Sequence, residues 1–321
     1  MEYDYSRLYN QYAFCSHLAK RLRREQSTDF VETFADEAAV SVNSVINFDG
    51  DISLLRTEHQ DPLSNLKRDG YIGLGTIVDQ EKFDDMNTYL ADKPIINNYY
   101  PAPKFFEPQV AKDNMNLGIY SPDTVFRCPW LFNILNNTHL LSVLTAFLGC
   151  LPTLQHVVIQ KSFSGKPTPY GNQFYHRDPH ICVRFLKLFL YLNEVDDGGG
   201  GHTYVKGTHT PAPELKTDFG GDGDFADEAV EYYYSKDEIV TLKGQAGSAF
   251  LGITRAIHRG TLPIDRDRIL VTATYSIMPS VESWVRQTAM SHAYSADENE
   301  TYYGETMFTP YFSYINRILI A

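Results

Sequence analysis

His176 and Asp178, in the run Phe174-Tyr-His-Arg-Asp-Pro179, set an imidazole and a carboxylate two residues apart. In an extended segment residues i and i+2 point to the same side, so one short stretch can offer both groups to a single point. A second histidine, His258, comes 82 residues later, and Arg268 follows it by ten. If a distant strand carries His258 to the same point, two histidines and a carboxylate hold one side of a metal and leave the opposite positions open. That donor set suits non-haem Fe(II) centres that activate oxygen. His-x-Asp alone is a weak signal in a chain with ten histidines, so the weight rests on the combination.

The surrounding elements have to bring these residues together. From residue 154 onward the chain reads as short β-type runs separated by turns: 155–163, 183–192, 202–205, 239–242, 248–253 and 269–277. Residues 66–75 read as a helix end broken at Gly70 and continued as a strand. Asp79 is placed to cap a helix running to about Leu90, and a further helical region spans about 130–148. The stretch 97–108, with three prolines, reads as a loop, and 196–201 and 218–228 as glycine-rich surface turns. The expected fold is mostly β with a helical buttress. It is a single domain over 1–321: a mainly helical layer at 1–150, a double-stranded β-helix (jelly-roll) core at 151–280, and an aromatic segment at 281–321.

Bulk properties narrow the classes. A net charge of −12 argues against a nucleic-acid-binding surface. The one basic cluster, Lys20, Arg21, Arg23 and Arg24, fits a solvated helix face. Cys15, Cys128, Cys150 and Cys182 are scattered without metal-ligand spacing, as expected of reduced thiols rather than a disulfide framework. The acidic N-terminus has no signal-like apolar run, and no stretch is apolar for long enough to span a bilayer. A cytoplasmic protein with no membrane partner is the expectation.

The remaining histidines divide. His180, two beyond Asp178, is placed to touch substrate, whereas His17, His59, His139 and His292 have no ligand-like neighbours. His202 and His209 flank Thr-Tyr-Val-Lys-Gly-Thr; a metal site built on them lacks an evident carboxylate. Phe174, Tyr100 and Phe105, with the aromatic stretch 302–314, are candidates to line or close a pocket. Arg266 precedes Arg268 by two, and Arg268 is preferred as the inward-facing one because the apolar alternation of the next strand starts from it.

The order of these motifs over roughly 60–280 resembles the phytanoyl-CoA dioxygenase family of Fe(II)- and 2-oxoglutarate-dependent oxygenases. Leu66-Lys-Arg-Asp-Gly-Tyr-Ile-Gly-Leu74 resembles the family's opening helix–Gly–strand, and Gln160 a glutamine on the strand leading to the iron. Phe174-Tyr-His-Arg-Asp178 is similar to its aromatic-His-x-Asp. The run 201–209 looks like its Pro-Gly-Ser-His turn, with Lys206 in the proline's place. Residues 244–251 resemble its Gly-Asp-x-x-x-Phe strand, and His258 and Arg268 its distal histidine and 2-oxoglutarate arginine. The serine or asparagine common after that histidine is replaced here by Arg259-Gly260-Thr261.

The resemblance implies that His176, Asp178 and His258 hold Fe(II), and that Arg268, with Gln160 nearby, binds the 2-oxoglutarate cosubstrate. It implies a dioxygenase that uses O2 to hydroxylate an unactivated C–H bond, releasing succinate and CO2. Related halogenating enzymes lack the carboxylate that Asp178 provides, which favours oxygen transfer. The acidic chain favours a small-molecule or natural-product substrate over a CoA thioester. Two rivals are a non-catalytic jelly-roll binding protein and a cupin-type metalloenzyme that does not use 2-oxoglutarate. Cupins typically supply three histidines and a glutamate, and no glutamate closely follows His176.

Overall fold

Strands buried on both faces organise the C-terminal half, and helices close over one side of it. The computed structural model describes residues 28–45, 60–97, 104–178, 183–210, 225–278, 314–316 and 319. Tyr100, His180, the 20–24 basic cluster, Cys15, Cys182 and most of the C-terminal aromatic segment lie outside the described residues.

Helices α1 (Thr28–Val45) and α2 (Gln60–Asp69) lead into strand β1 (Tyr71–Thr76), then α3 (Gln80–Leu90), β2 (Ile95–Asn97) and β3 (Lys104–Phe106). Next come α4 (Pro108–Asn114), β4 (Leu117–Tyr120) and the helices α5 (Pro122–Phe126), α6 (Leu131–Leu135) and α7 (Thr138–Leu148). The rest is largely strand: β5 (Thr153–Ser162), β6 (Phe185–Tyr191), β7 (His202–Val205), helix α8 (Asp227–Tyr233), β8 (Ile239–Leu242), β9 (Ser248–Gly252), β10 (His258–Gly260) and β11 (Arg268–Ser276). An eight-stranded antiparallel sheet runs β1-β9-β6-β11-β5-β4-β2-β3, and a three-stranded sheet runs β10-β7-β8.

Alternation decides which residues meet. On β11, Val271, Ala273 and Tyr275 join Leu186, Leu188 and Leu190 of β6 in a large apolar cluster with α7, where Leu140, Val143, Leu144 and Leu148 are buried. Each buried leucine or valine there contributes roughly 1.5–3 kcal/mol. The opposite side of these strands carries Phe189, Tyr191 and Leu270, which pack with Phe250 of β9 and Tyr204 of the small sheet. The two sheets therefore close on each other, and the polar residues on those inner faces sit between them.

One local signal works as the sequence suggests. Gly70 takes φ +87 between α2 and β1, a conformation a side chain would strain. Asp79 precedes α3 in an extended conformation, but its carboxylate pairs with Lys82 at 2.9 Å instead of capping the backbone. Others are corrected. The predicted helix over 130–148 is split, because the Asn137 side chain accepts from the N–H groups of His139 and Leu140 and starts a new helix. The predicted loop over 97–108 contains part of an edge hairpin, β2 paired with β3, where prolines are tolerated. The predicted turn over 218–228 already belongs to α8 from Asp227. Cys128 and Cys150 are buried free thiols. No helix among the described residues is long and apolar enough to cross a membrane.

Candidate metal centre

His176 and His258 face each other across a two-residue antiparallel bridge, with both N–H···O bonds made, at 2.9 and 3.0 Å. Two residues on, the Asp178 N–H donates to the Thr254 carbonyl at 2.8 Å, so the segment is extended without belonging to a regular strand. Arg177 turns the other way and donates to the carbonyls of Thr208 and Arg255, tying the segment to two neighbouring turns. Thr208, in the 201–209 motif, accepts the Ile257 N–H at 2.8 Å and so braces the start of β10.

Both imidazoles are oriented in the same manner. Nδ1 of His176 lies 2.8 Å from the Phe174 carbonyl, and Nδ1 of His258 lies 2.9 Å from that of Ala256. A carbonyl can only accept, so Nδ1 carries a proton, and in the neutral ring the lone pair falls on Nε2. The two Nε2 atoms are 3.9 and 3.8 Å from the Asp178 carboxylate oxygens. One ligand atom from each of the three residues lies within 4.8 Å of the others, a spacing that could hold a metal ion.

Lys187, on β6, donates to Asp178 Oδ2 at 2.6 Å. Burial alone would raise the Asp178 carboxyl, but Lys187 and the two histidines outweigh it and hold the group well below the usual carboxylate range. Lys187→Met is expected to destabilise the metal-free protein by about 3 kcal/mol, because Asp178 keeps its charge in a nearly closed site. Excess Ni(II) should recover most of that loss by replacing the ammonium as counter-charge. The melting-temperature gain on adding metal should then be larger in the variant than in the wild type, and equal gains would contradict the argument.

The imidazoles set a second expectation. Burial, then His176, pushes His258 down to about 3 against the pull of Asp178, and burial likewise lowers His202 well below its usual range. In the unfolded chain each takes up a proton near pH 6.5. Their folded values are the lower ones, so stability is complete above about pH 6.5 and is lost as the pH falls. From pH 7 to 5.5 the two groups together should cost about 2–3 kcal/mol. Urea unfolding of the metal-free protein at the two values measures this, and an unmoved midpoint would refute it.

Arg268 opens β11 and is 1% exposed. Its guanidinium donates to the Thr261 carbonyl and to Ser162 Oγ, both at 3.2 Å, and Nε has no partner. Among the described residues no carboxylate pairs with it. Gly260 makes room for it: a Cβ there would fall 2.8 Å from the guanidinium. Asp267, adjacent in sequence, turns outward to Ser164, Lys112 and Lys161. Arg266 is half-exposed and binds Glu194, Asp196 and Asp265, so the two arginines differ in surroundings.

No family model matches the chain, and no curated protein sequence matches it. Solved structures do. The non-heme alpha ketoglutarate dependent epimerase SnoN from nogalamycin biosynthesis aligns with a TM-score of 0.51 and 16% identity, covering 76% of this chain and 93% of its own. SnoN in complex with Fe3+, alpha ketoglutarate and nogalamycin RO gives 0.50 at the same identity and coverage. HygX from Streptomyces hygroscopicus, with nickel and 2-oxoglutarate bound, gives 0.46 at 13% identity over 68% of this chain and 86% of its own. The likeness is one of fold. With the two facing antiparallel sheets, it identifies the core as a jelly roll.

Within that core the other predicted residues take definite places. Gln160 lies one step along the same strand face as Ser162, donates to it at 3.4 Å, and accepts from Asn172 at 3.1 Å. Phe174 is half-buried beside the histidines. Phe105 is 62% exposed on the edge strand, in one cross-strand row with Ile96, Ile119, Gln160 and Leu270. It therefore shares the site's side of the sheet but sits at its rim. His202 and His209 part company: His202 stacks on His258, whereas His209 bonds the Lys67 carbonyl at the end of α2. Ser162, Lys187, Tyr191 and Tyr204 were not singled out from sequence. Period-two spacing from Gln160 points to Ser162, and one lysine in the apolar run Phe185-Leu-Lys-Leu-Phe-Leu-Tyr191 points to Lys187.

Proposed function

We propose that this chain is an Fe(II)- and 2-oxoglutarate-dependent oxygenase, similar to the phytanoyl-CoA dioxygenases, that hydroxylates an unactivated C–H bond of a small molecule or natural-product intermediate. The observation that carries the reading is Arg268. It is a fully buried cation with an unpartnered Nε, and it lies on the inner face that also holds a His–Asp–His set. A buried charge without a counter-charge is costly, and a carboxylate-bearing cosubstrate answers it in a way that a water-filled binding cleft does not. The donor set fits Fe(II): two imidazoles whose Nδ1 atoms are held by backbone carbonyls, leaving Nε2 to the metal, and one ionised carboxylate.

In this reading His176, Asp178 and His258 hold the iron, and Arg268 pairs with the distal carboxylate of 2-oxoglutarate through its planar fork. Ser162 and Gln160 extend the polar lining beside it. Bound together, iron, 2-oxoglutarate and O2 supply the oxidation, with succinate and CO2 as coproducts. Ile119, Val158 and Thr272, partly exposed on the same sheet face, offer a largely apolar floor for substrate. Asp178 supports hydroxylation over halogenation. The SnoN complex with nogalamycin RO supports a small-molecule substrate. The helical layer and jelly roll are taken to work as one cytoplasmic domain, in keeping with the free thiols Cys128 and Cys150.

Anaerobic titration of the protein with Fe(II) and then 2-oxoglutarate tests the class. A weak visible charge-transfer band and 2-oxoglutarate-dependent succinate formation in air are expected. Absence of the band together with no 2-oxoglutarate binding by calorimetry would sink the assignment. A metabolite screen for products gaining one oxygen then tests hydroxylation.

A further inference from the structure

We propose that His202 is a second protein contact for the cosubstrate, supplying an N–H donor between Arg268 and the metal ligands. This rests on the oxygenase reading above. His202 is 5% exposed, and neither ring nitrogen has a hydrogen-bond partner. Its ring is enclosed by aromatic groups: Phe189 at 4.3 Å, Tyr204 at 5.2 Å, His258 at 5.3 Å and Phe250 at 5.6 Å between centroids. A leucine would fill such surroundings without leaving polar atoms unsatisfied, so packing alone does not account for an imidazole.

Its position says what it can meet. Alternation along β7 turns His202 and Tyr204 toward the inner face, and the His202 backbone N–H is fixed by Tyr191 Oη at 3.0 Å. The cross-strand partner of His202 is Gly260, the residue against which the Arg268 guanidinium lies. On the other side its ring stacks on the metal-ligand candidate His258. A ligand reaching from Arg268 to the triad must therefore pass this ring. The neutral imidazole has one N–H to donate, and 2-oxoglutarate offers acceptors along its length: a carboxylate at each end and a keto oxygen.

The test compares wild type, His202→Leu and His202→Gln by anaerobic calorimetry, first with Fe(II) alone and then with 2-oxoglutarate added to the iron-loaded protein. Fe(II) affinity should be the same in all three. His202→Leu should weaken 2-oxoglutarate binding about tenfold or more and displace the charge-transfer band. His202→Gln, which keeps an N–H donor, should restore most of the affinity. The leucine variant should melt at or above the wild-type temperature without ligands; if it does not fold, His202→Met provides the same donor-free comparison. Wild-type 2-oxoglutarate affinity in the donor-free variant, while Arg268→Ala loses it, would overturn the role of His202 and leave the oxygenase reading intact. Failure of the wild type itself to bind 2-oxoglutarate would overturn both.

Discussion

Arg268→Leu is expected to weaken 2-oxoglutarate binding by about 10²–10³-fold while making the ligand-free protein more heat-stable. Both effects come from one fact. The guanidinium is fully buried, holds only the Thr261 carbonyl and Ser162 Oγ, and has no acidic partner among the described residues. Folding strips it of water without a counter-charge, so an apolar replacement of similar bulk should stabilise the metal-free state by about 1–3 kcal/mol. On the proposed reading, binding loses the charge-assisted, planar contact of the guanidinium fork. Arg268→Lys should fall between, since it keeps the charge but not the fork. Calorimetry with the iron-loaded protein and thermal melts of the metal-free protein separate the two effects. A variant that binds 2-oxoglutarate normally, or that melts several degrees lower, would contradict this account.

His258→Ala should reduce Fe(II) affinity by more than the roughly 10–100-fold typical of losing an outer contact, because a direct donor is removed. The fold should survive. The His176–His258 bridge is made by backbone atoms, and β10 remains paired with β7 through Tyr204, Thr203 and His202. The vacated space should cost about 2 kcal/mol. His209→Ala is the matched control, since His209 is engaged with the Lys67 carbonyl and should leave metal binding untouched. Unchanged Fe(II) affinity in His258→Ala, measured anaerobically with circular dichroism confirming the fold, would remove His258 from the site.

Much of this architecture is legible in the chain because its signals are local. Strands 202–205 and 239–242 match β7 and β8, since alternation and flanking turns define them without help from the rest of the protein. Other elements were not legible. Leu117-Gly-Ile-Tyr120 and His258-Arg-Gly260 are strands only because a neighbour supplies the other half of each ladder. The 97–108 stretch reads as a loop from its prolines, yet its ends pair as β2 and β3 at the sheet edge.

The site divides along the same line. The sequence by itself determined that His176 and Asp178 share a side and that a strand starts at Arg268. Two-residue periodicity requires nothing beyond the local backbone. Only the tertiary structure decided which later histidine meets that pair, that Arg266 meets surface carboxylates while Arg268 is enclosed, and that Lys187 reaches Asp178 from β6. It also set His202, rather than His209, against His258. These contacts join residues far apart in the chain. They depend on strand order and on the closing of one sheet over another, which no local spacing encodes.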